Sequence, residues 1–420
     1  MTRRVALLLT STFLASTASL AGVTALGKLV YDLTDSELAL GFLGLAEFLP
    51  ALLLMLVVGA VADRFDRRRV TALASLAESA LCILLAVHVA TQPDGAALIF
   101  VLVLGFGVTR AFIAPASRSL PADIVPPARL PWLVARHSAT WQAAIIVGPV
   151  LGGVLYAVDP VLPFVAMSVL LGLASVAVLA IRYDEVVVVD EPLLEAAVEP
   201  VLGHGAEPVG DGERPSLRDA LEGFRFIRRN RILLGAISLD LFAVLFGGAV
   251  ALLPAIAEDR LGVGAVGLGW LRAAGGIGAA VVTVILAVRP FERHVGKVLL
   301  VAVGAFGVFT IVLGTTTSFV IAFVAMAVLH GADSVSVFVR ATLVPLATPP
   351  ALRGRVLAVE NVFIGGSNEL GAFESGVAGQ VLGAPAAIVL GGVATLAIAG
   401  GWWATFPELR DVDRFPASSS

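Results

Sequence analysis

The chain has 420 residues, of which 58% are hydrophobic and 14% are charged, and its formal net charge is −4. Together with a mean hydropathy of +0.96, this composition excludes an ordinary water-soluble protein and is typical of a polytopic membrane protein. The one cysteine, Cys82, excludes a disulfide framework and a cysteine-rich zinc site.

The N-terminal region has two possible interpretations. Arg3 and Arg4 precede an apolar stretch that resembles a cleavable signal peptide. However, the apolar character continues to about Val30, which is long enough to span a bilayer. We therefore interpret this region as an uncleaved first helix.

Twelve apolar runs are long enough to cross a membrane. We predict helices over residues 5–30, 38–61, 70–90, 96–115, 133–157, 161–181, 232–256, 264–288, 298–313, 317–339, 357–382 and 386–406. These runs predict an N-terminal six-helix bundle (1–181), a central loop (182–231), a C-terminal six-helix bundle (232–410) and a tail (411–420).

The central loop has two parts of different character. Residues 184–215 are acidic and rich in glycine and proline. Residues 216–231 place Leu217, Leu221, Phe224 and Ile227 at helical spacing, which predicts an amphipathic helix on the inner membrane surface. The basic residues among them are Arg218, Arg225, Arg228 and Arg229.

The basic residues predict the orientation of the chain in the membrane. If the N-terminus is cytoplasmic, every one of the 28 basic residues lies on the inner side except Lys28, Arg110, Arg260 and Arg272. Because positive charge is enriched in cytoplasmic loops, we expect both termini and the central loop to be cytoplasmic, in a bacterial inner membrane.

The two halves of the chain repeat each other. A shift of 223 residues places Val125–Ala128 on Thr348–Ala351, and a shift of 226 places Asp66-Arg67 on Glu292-Arg293. Such repeats are typical of transporters whose substrate site lies between the halves near the middle of the bilayer.

A charged loop separates the second and third predicted helices. It contains Gly59, Asp63, Arg64, Arg67 and Arg68 in the pattern Gly-x-x-x-Asp-Arg-x-x-Arg-Arg. This spacing resembles the loop between helices 2 and 3 of the major facilitator superfamily of secondary transporters. The resemblance implies an all-α membrane protein with twelve transmembrane helices in two pseudo-symmetric six-helix bundles. The alternative interpretation is an ordinary basic cytoplasmic loop.

The resemblance also implies a cytoplasmic latch between the halves. Asp63 would lie at the positive end of helix 11 near Arg355, and Arg67 and Arg68 would pair with acids such as Glu360. The chain departs from the family pattern at Asp66, where glycine is usual, and at Arg289, where an acid is expected. We therefore expect a one-sided latch.

Two further stretches resemble branches of this superfamily. Gly148, Pro149, Gly152 and Gly153 resemble the helix-5 motif of exporters, with Ala144 at the position of an earlier family glycine; the same residues are also common in simple helix packing. The stretches 239–248, 333–340 and 348–371, which include the Arg353-Gly-Arg355 turn, resemble the enterobactin-exporter-like branch.

Ionisable residues inside the predicted helices are candidates for proton coupling or for lining the substrate cavity, because charge is costly in hydrocarbon. In the family, helices 4, 7 and 10 line the cavity, which favours Arg110, Asp240 and Asp333. We expect these three to lie at a shared depth of roughly 8–12 Å from the cytoplasmic helix ends. A structural ion pair or a snorkelling side chain is the alternative for each. We interpret Glu78, on a peripheral helix, as structural; the remaining candidates are Glu47, Arg272, Glu369 and Glu374.

These features predict a proton-driven exporter of a siderophore, a drug or another amphipathic small molecule that works by alternating access. A proton-coupled uptake permease and a non-transporting membrane sensor or enzyme are the alternatives. We find no catalytic constellation, metal cluster or cofactor motif in the sequence. We expect the protein to act as a monomer in the lipid bilayer, with the substrate and protons as partners and without nucleic acid.

Overall fold

The computed structural model describes residues 2–181 and 217–416. Within these ranges, the structure does not describe the side chains of residues 55–57, 59–63, 118, 127, 217–220 and 249. The regular elements of the described chain are all helical. The acidic part of the predicted central loop, residues 184–215, lies outside the described residues.

Twelve long helices follow one another along the described chain. They are α1 (Arg3–Thr34), α2 (Glu37–Arg64), α3 (Arg67–Ala90), α4 (Ala97–Ile124), α5 (Leu130–Val158), α6 (Leu162–Leu179), α7 (Arg231–Phe246), α8 (Gly264–Val288), α9 (Val295–Thr315), α10 (Phe319–Leu346), α11 (Pro350–Leu382) and α12 (Ala384–Thr405). An amphipathic helix over Leu217–Arg229, called the loop helix below, precedes α7.

Eleven helices of the described chain are long and apolar enough to cross a membrane, with α7 counted together with its continuation to Arg260. The remaining long helix, α11, has 33 residues. Its charged side chains, Arg353, Arg355, Glu360, Glu369 and Glu374, lower its mean hydropathy. The predicted twelve-helix membrane fold agrees with these elements.

The ends of α4 and α10 differ from the prediction. Both run past their predicted ends, to Ile124 and Leu346, despite carrying prolines near those ends. At 1.5 Å per residue, Arg110 and Asp333 therefore lie about 20 Å from these ends rather than 8–12 Å. The shared shallow depth predicted for Arg110 and Asp333 is wrong, because it was measured from helix ends placed too early.

The predicted seventh helix is interrupted. Its regular part ends at Phe246, and Gly247 and Gly248 lead into a 3₁₀ segment and then a π-helical turn over Ile256–Arg260. Glycine is a poor helix former. A Cβ atom at Gly248 would also lie 2.7 Å from the backbone carbon of Gly371 in α11. The break thus allows α7 and α11 to approach closely.

The helices form two compact units, and four helix pairings of the first unit recur in the second. Of the described residues, the first unit contains 2–181 and 253–273, and the second contains 217–252 and 274–416. In the first unit α1 packs on α5 and α6, while α3 packs on α4 and α6. In the second unit α7 packs on α11 and α12, while α9 packs on α10 and α12.

Each unit has an apolar interior and an apolar outer face. Phe106, Phe164 and Met167 are fully buried in the first unit, and Leu239, Leu299 and Leu343 are fully buried in the second. On α3, Leu73, Leu76, Ile83, Leu84 and Val87 are all exposed at helical spacing. Such a face is suited to lipid rather than to water.

Candidate functional site

The second unit contains a buried arginine between two buried acids. Arg340 on α10 is 3% exposed, and its Nη2 lies 2.7 Å from Oδ1 of Asp240 on α7. Its Nη1 lies 3.7 Å from Oε1 of Glu360 on α11. Asp240 and Glu360 are each 6% exposed. We call Asp240, Arg340 and Glu360 the Arg340 cluster.

A third acid lies near the Arg340 cluster. Asp333 is half-buried on α10, two helical turns before Arg340, and interacts electrostatically with Arg340 and Asp240. Three carboxyl groups therefore share the charge of one guanidinium group. Full ionisation would leave excess negative charge in a region of low dielectric constant, which is energetically unfavourable.

The first unit contains a second arginine between two acids. Arg110 on α4 forms an ion pair with Glu47 on α2, and its Nε lies 2.9 Å from Oε1 of Glu78 on α3. The ring of Phe106 lies 5.7 Å from the guanidinium carbon. Glu78 is fully buried. We call Glu47, Arg110 and Glu78 the Arg110 cluster.

The Arg110 cluster is not fully hydrogen-bonded. Within the described residues, Oε2 of Glu78 and Nη2 of Arg110 are buried and have no hydrogen-bond partner. An unpaired oxygen on a buried ionised carboxylate is costly, whereas a neutral carboxylic acid tolerates such a site better. This arrangement can therefore hold a proton.

The other predicted cavity residues lie on α8 and α11. The guanidinium of Arg272 lies against α1, 3.6 Å from the position of a Cβ atom at Gly27, and its Nε is buried without a hydrogen-bond partner in the described part. Glu369 and Glu374 are half-buried on α11, and Glu374 hydrogen-bonds with Ser375.

The charged loop between α2 and α3 makes contacts inside the first unit. Arg67 lies 3.0 Å from Asp123, and Arg68 pairs with Asp66 at 2.9 Å and also donates to the carbonyl of Ile181. The Arg68 guanidinium lowers the pKa of Asp66 below its usual value.

The other residues of the predicted latch have the following positions. Arg355 pairs with Glu222 of the loop helix at 2.8 Å, and Glu360 belongs to the Arg340 cluster. Arg64 is exposed. Gly59 and Asp63 lie outside the residues whose side chains are described. The latch between the halves stays a prediction.

The glycines of α5 lie at close helix contacts. A Cβ atom at Gly148 would lie 2.7 Å from Cβ of Leu20, and one at Gly152 would lie 2.9 Å from Cα of Ala21, both on α1. A Cβ atom at Gly153 would collide with the carbonyl oxygen of Ala265 at the start of α8. Pro149 is buried between these glycines. These positions require residues without a side chain.

A further polar cluster lies in the first unit. Lys28 on α1 is 6% exposed and pairs with Asp32, one turn later, and with Glu258 at 3.0 Å. The Tyr156 hydroxyl donates to Asp32 at 2.8 Å. Tyr31 hydrogen-bonds with Asp259, the neighbour of Glu258 in the π-helical turn. These contacts join the π-helical turn to α1, and α1 to α5. We call these residues the Lys28 cluster.

The sequence alone did not identify Arg340, Glu78 or the Lys28 cluster as parts of these polar networks. The sequence places Arg340 among the cytoplasmic arginines, because the predicted tenth helix ends before it, whereas α10 continues to Leu346. The sequence suggests a structural role for Glu78, and the structure shows that Glu78 contacts Arg110. The composition does contain a signal for the Lys28 cluster, because the chain has only three tyrosines and two lysines, and Tyr31, Tyr156 and Lys28 belong to this cluster.

In the described part of the chain, no group of three histidine, cysteine, aspartate or glutamate side chains has a geometry that could hold a metal ion. The buried or half-buried acids of the clusters described above are instead paired with arginine, lysine or tyrosine. Such groups can bind and release protons.

The chain was compared with protein-family models, and the model described as Major Facilitator Superfamily matches residues 7–372. The chain belongs to the major facilitator superfamily. Its family and fold are those of transporters, and it is a multi-pass membrane protein.

Relatives with known names are more distant. The chain is 27% identical over 323 residues to a protein named Na(+), Li(+), K(+)/H(+) antiporter from Planococcus maritimus, covering 72% of this chain and 73% of that one. It is 28% identical over 300 residues to the multidrug efflux pump Tap of Mycobacterium tuberculosis, covering 68% of this chain and 66% of the relative.

Solved structures share the fold at low sequence identity. The nucleoside transporter NupG matches with a TM-score of 0.71 at 14% identity, covering 97% of this chain and all of that one. A bacterial homologue of the human lysosomal transporter Spinster matches with a TM-score of 0.69 at 13% identity, covering 95% of each chain. At this identity the likeness concerns the fold alone.

Proposed function

We propose that this transporter is a proton-driven exporter of an amphipathic small molecule, such as a siderophore or a drug, and that it works by alternating access. The observation that carries the proposal is the Arg340 cluster with Asp333 beside it. Three acids and one arginine, from α7, α10 and α11, meet at a largely buried position.

The physical argument is one of charge balance. Burying an excess carboxylate costs several kcal/mol, so an acid in this group gains a proton when water is excluded. The same acid can release that proton when the site opens to a side of higher pH. A site that binds a proton in one state and releases it in another can couple transport to a proton gradient.

Other features support export. The relatives are named as a multidrug efflux pump and a cation/proton antiporter. The glycine-proline motif of α5 and the stretches similar to the enterobactin-exporter-like branch favour an exporter of amphipathic molecules. We propose that both termini are cytoplasmic, since the arginines are concentrated on one side, and that the protein works as a monomer.

Everted membrane vesicles with an acidic interior test the proposal. An exporter should accumulate its substrate inside the vesicles and dissipate the proton gradient when the substrate is added. Ethidium, a catecholate siderophore, and Na⁺, Li⁺ and K⁺ salts are suitable test compounds. The inorganic cations test antiport of the kind for which the Planococcus maritimus relative is named.

Two variants test the residues. We expect Asp240→Asn and Asp333→Asn each to abolish gradient-driven transport without loss of expression, because the amide cannot exchange a proton. Asp94→Asn is the control, since Asp94 is exposed in the loop between α3 and α4.

Two outcomes would contradict the proposal. Full gradient-driven transport in both variants would shift proton coupling to Glu369 or Glu47. Substrate that never accumulates in everted vesicles but enters right-side-out vesicles with protons would favour an uptake permease.

A further inference from the structure

We propose that Glu78 is a second proton-binding residue, separate from the Arg340 cluster, and that Glu47 is its contact with solvent. The N-terminal bundle would then bind a proton of its own in each transport cycle. The role in transport rests on the proposed function, whereas the protonation of Glu78 can be tested without it.

The first argument is the surroundings of Glu78. Glu78 is completely buried: 0% of its surface is accessible. One carboxyl oxygen accepts a hydrogen bond from Arg110, and the other has no hydrogen-bond partner among the described residues. Ionised, this second oxygen would remain unsatisfied in an apolar interior, whereas a proton on it removes the charge.

The second argument is the count of charges around Glu78. The helices packed on α3 are α4 and α6. α4 contributes Arg110, and α6 contains no ionisable residue. On α3 itself the nearest ionisable group is the buried thiol of Cys82, one turn from Glu78. Arg110 is the ion-pair partner of both Glu47 and Glu78 in the described part of the chain, so two carboxyl groups share one positive charge.

The third argument is the difference in exposure between the two acids. The side chain of Glu47 is 28% exposed, whereas that of Glu78 is 1% exposed. Arg110 contacts both and has one further buried nitrogen, Nη2, without a partner in the described part. A small movement of the guanidinium toward Glu47 would leave Glu78 without a counter-charge, and Glu78 would then bind a proton.

This arrangement gives the pair two states of equal total charge. In one, Glu47 is protonated and Arg110 neutralises Glu78. In the other, Arg110 neutralises Glu47 and Glu78 is protonated. Because neither state leaves an unpaired buried charge, the proton can move between the exposed and the buried acid at low cost.

Carbodiimide labelling of the purified full-length protein tests the protonation directly. Dicyclohexylcarbodiimide modifies protonated carboxyl groups in apolar surroundings, and mass spectrometry identifies the labelled residue. We expect labelling at Glu78 that declines as the pH is raised. In Arg110→Gln, labelling of Glu78 should persist to a pH at least about one unit higher, because the loss of an opposite charge favours the neutral acid.

Glu78→Gln, which should lose the label at this position, is the specificity control. The wild-type measurement needs no variant, so a folding defect in either variant leaves the test intact. Absence of label at Glu78 across the pH range, with label present on Glu369 in the same sample, would overturn the proposal.

A transport measurement tests the role of this proton. If one proton binds at each cluster and the proton of the Arg340 cluster is essential for turnover, Glu78→Gln should lower the coupling from two protons to one. The accumulation ratio of a transported probe such as ethidium should then fall to about its square root at the same pH gradient, measured with the membrane potential clamped at zero. An unchanged ratio in Glu78→Gln would overturn the role of Glu78 in coupling.

These results are distinguishable from failure of the proposed function. If the wild-type protein moves no probe against a proton gradient, the proposed function fails, and the labelling of Glu78 still decides whether this residue binds a proton.

Discussion

The Arg340 side chain pairs with two buried acids. Its replacement should affect the coupling of transport to protons more than the stability of the fold. We expect Arg340→Leu to lose gradient-driven transport by at least about tenfold, because Asp240 and Glu360 then stay protonated and cannot release protons. Arg340→Lys retains the charge but cannot contact both carboxyl groups with a planar fork, so it should retain partial transport.

The measurement is initial transport rate in everted vesicles, together with the unfolding temperature of the purified variants. A wild-type transport rate in Arg340→Leu would mean that the Arg340 cluster is a structural ion pair without a role in proton coupling. A loss of about 3–5 kcal/mol in the free energy of unfolding of Arg340→Leu would also contradict the prediction, since it would mean that the acids stay ionised.

The candidate residues were predictable from the sequence, but their partners were not. Asp240, Asp333 and Arg110 stand out as charges inside apolar runs, and this signal requires no tertiary structure. The pairing of Arg110 with Glu78 requires knowledge of which faces of α3 and α4 meet. The position of Arg340 inside a helix does not follow from the sequence, because the predicted tenth helix ends at Val339 whereas α10 continues to Leu346.

The close contacts of α5 make a specific prediction about stability. Gly153→Ala should destabilise the protein by about 1–3 kcal/mol, because the added methyl group overlaps the carbonyl oxygen of Ala265 and the helices must separate. Gly304→Ala in α9 is the matched control, since a Cβ atom there meets nothing within 4 Å. It should be neutral or slightly stabilising, because alanine favours the helix by about 1 kcal/mol.

Thermal unfolding in one detergent, followed by circular dichroism, measures both variants. Equal unfolding temperatures for Gly153→Ala and the wild type would mean that α5 and α8 do not need this close contact.

At the scale of elements, long apolar runs predict where helices lie, but they do not predict where the helices end or bend. The sequence predicts twelve helices of spanning length because no other element satisfies its backbone hydrogen bonds in lipid. It predicts a continuous seventh helix, whereas Gly247 and Gly248 break it and a π-helical turn follows. That turn presents Glu258 and Asp259 to Lys28 and Tyr31, contacts that only the three-dimensional arrangement reveals.

At the scale of the whole molecule, the two units repeat their helix pairings but not their ionisable residues. Each unit contains an arginine between two acids, yet Arg110 contacts α2 and α3, whereas Arg340 contacts α7 and α11. The repeat in the sequence predicts the fold because packing requires only apolar faces of similar shape. The repeat cannot predict the polar clusters, because a few ionisable residues can differ between the two halves without changing the apolar pattern.

The remaining prediction concerns the equilibrium between inward-open and outward-open states. The family resemblance implies that Asp63 stabilises the closed cytoplasmic side by interacting with the positive end of α11. Such an interaction contributes up to about 1 kcal/mol, so Asp63→Asn should shift the equilibrium toward the inward-open state by about fivefold. Turnover should slow, while the range of substrates should stay the same, because the substitution changes the balance between the two states and not the residues proposed to bind protons.

Cysteine labelling measures this shift with little background, because the native Cys82 is buried. A reporter such as Asn361→Cys on α11 should react faster with a membrane-impermeant maleimide, applied to the cytoplasmic side, when Asp63→Asn is also present. Asp66→Asn is the matched control: it removes the same charge from the same loop, but Asp66 accepts hydrogen bonds from the Arg68 side chain and backbone. It should weaken the start of α3 without changing the labelling rate. If Asp63→Asn also leaves that rate unchanged, the loop serves only to orient the chain in the membrane.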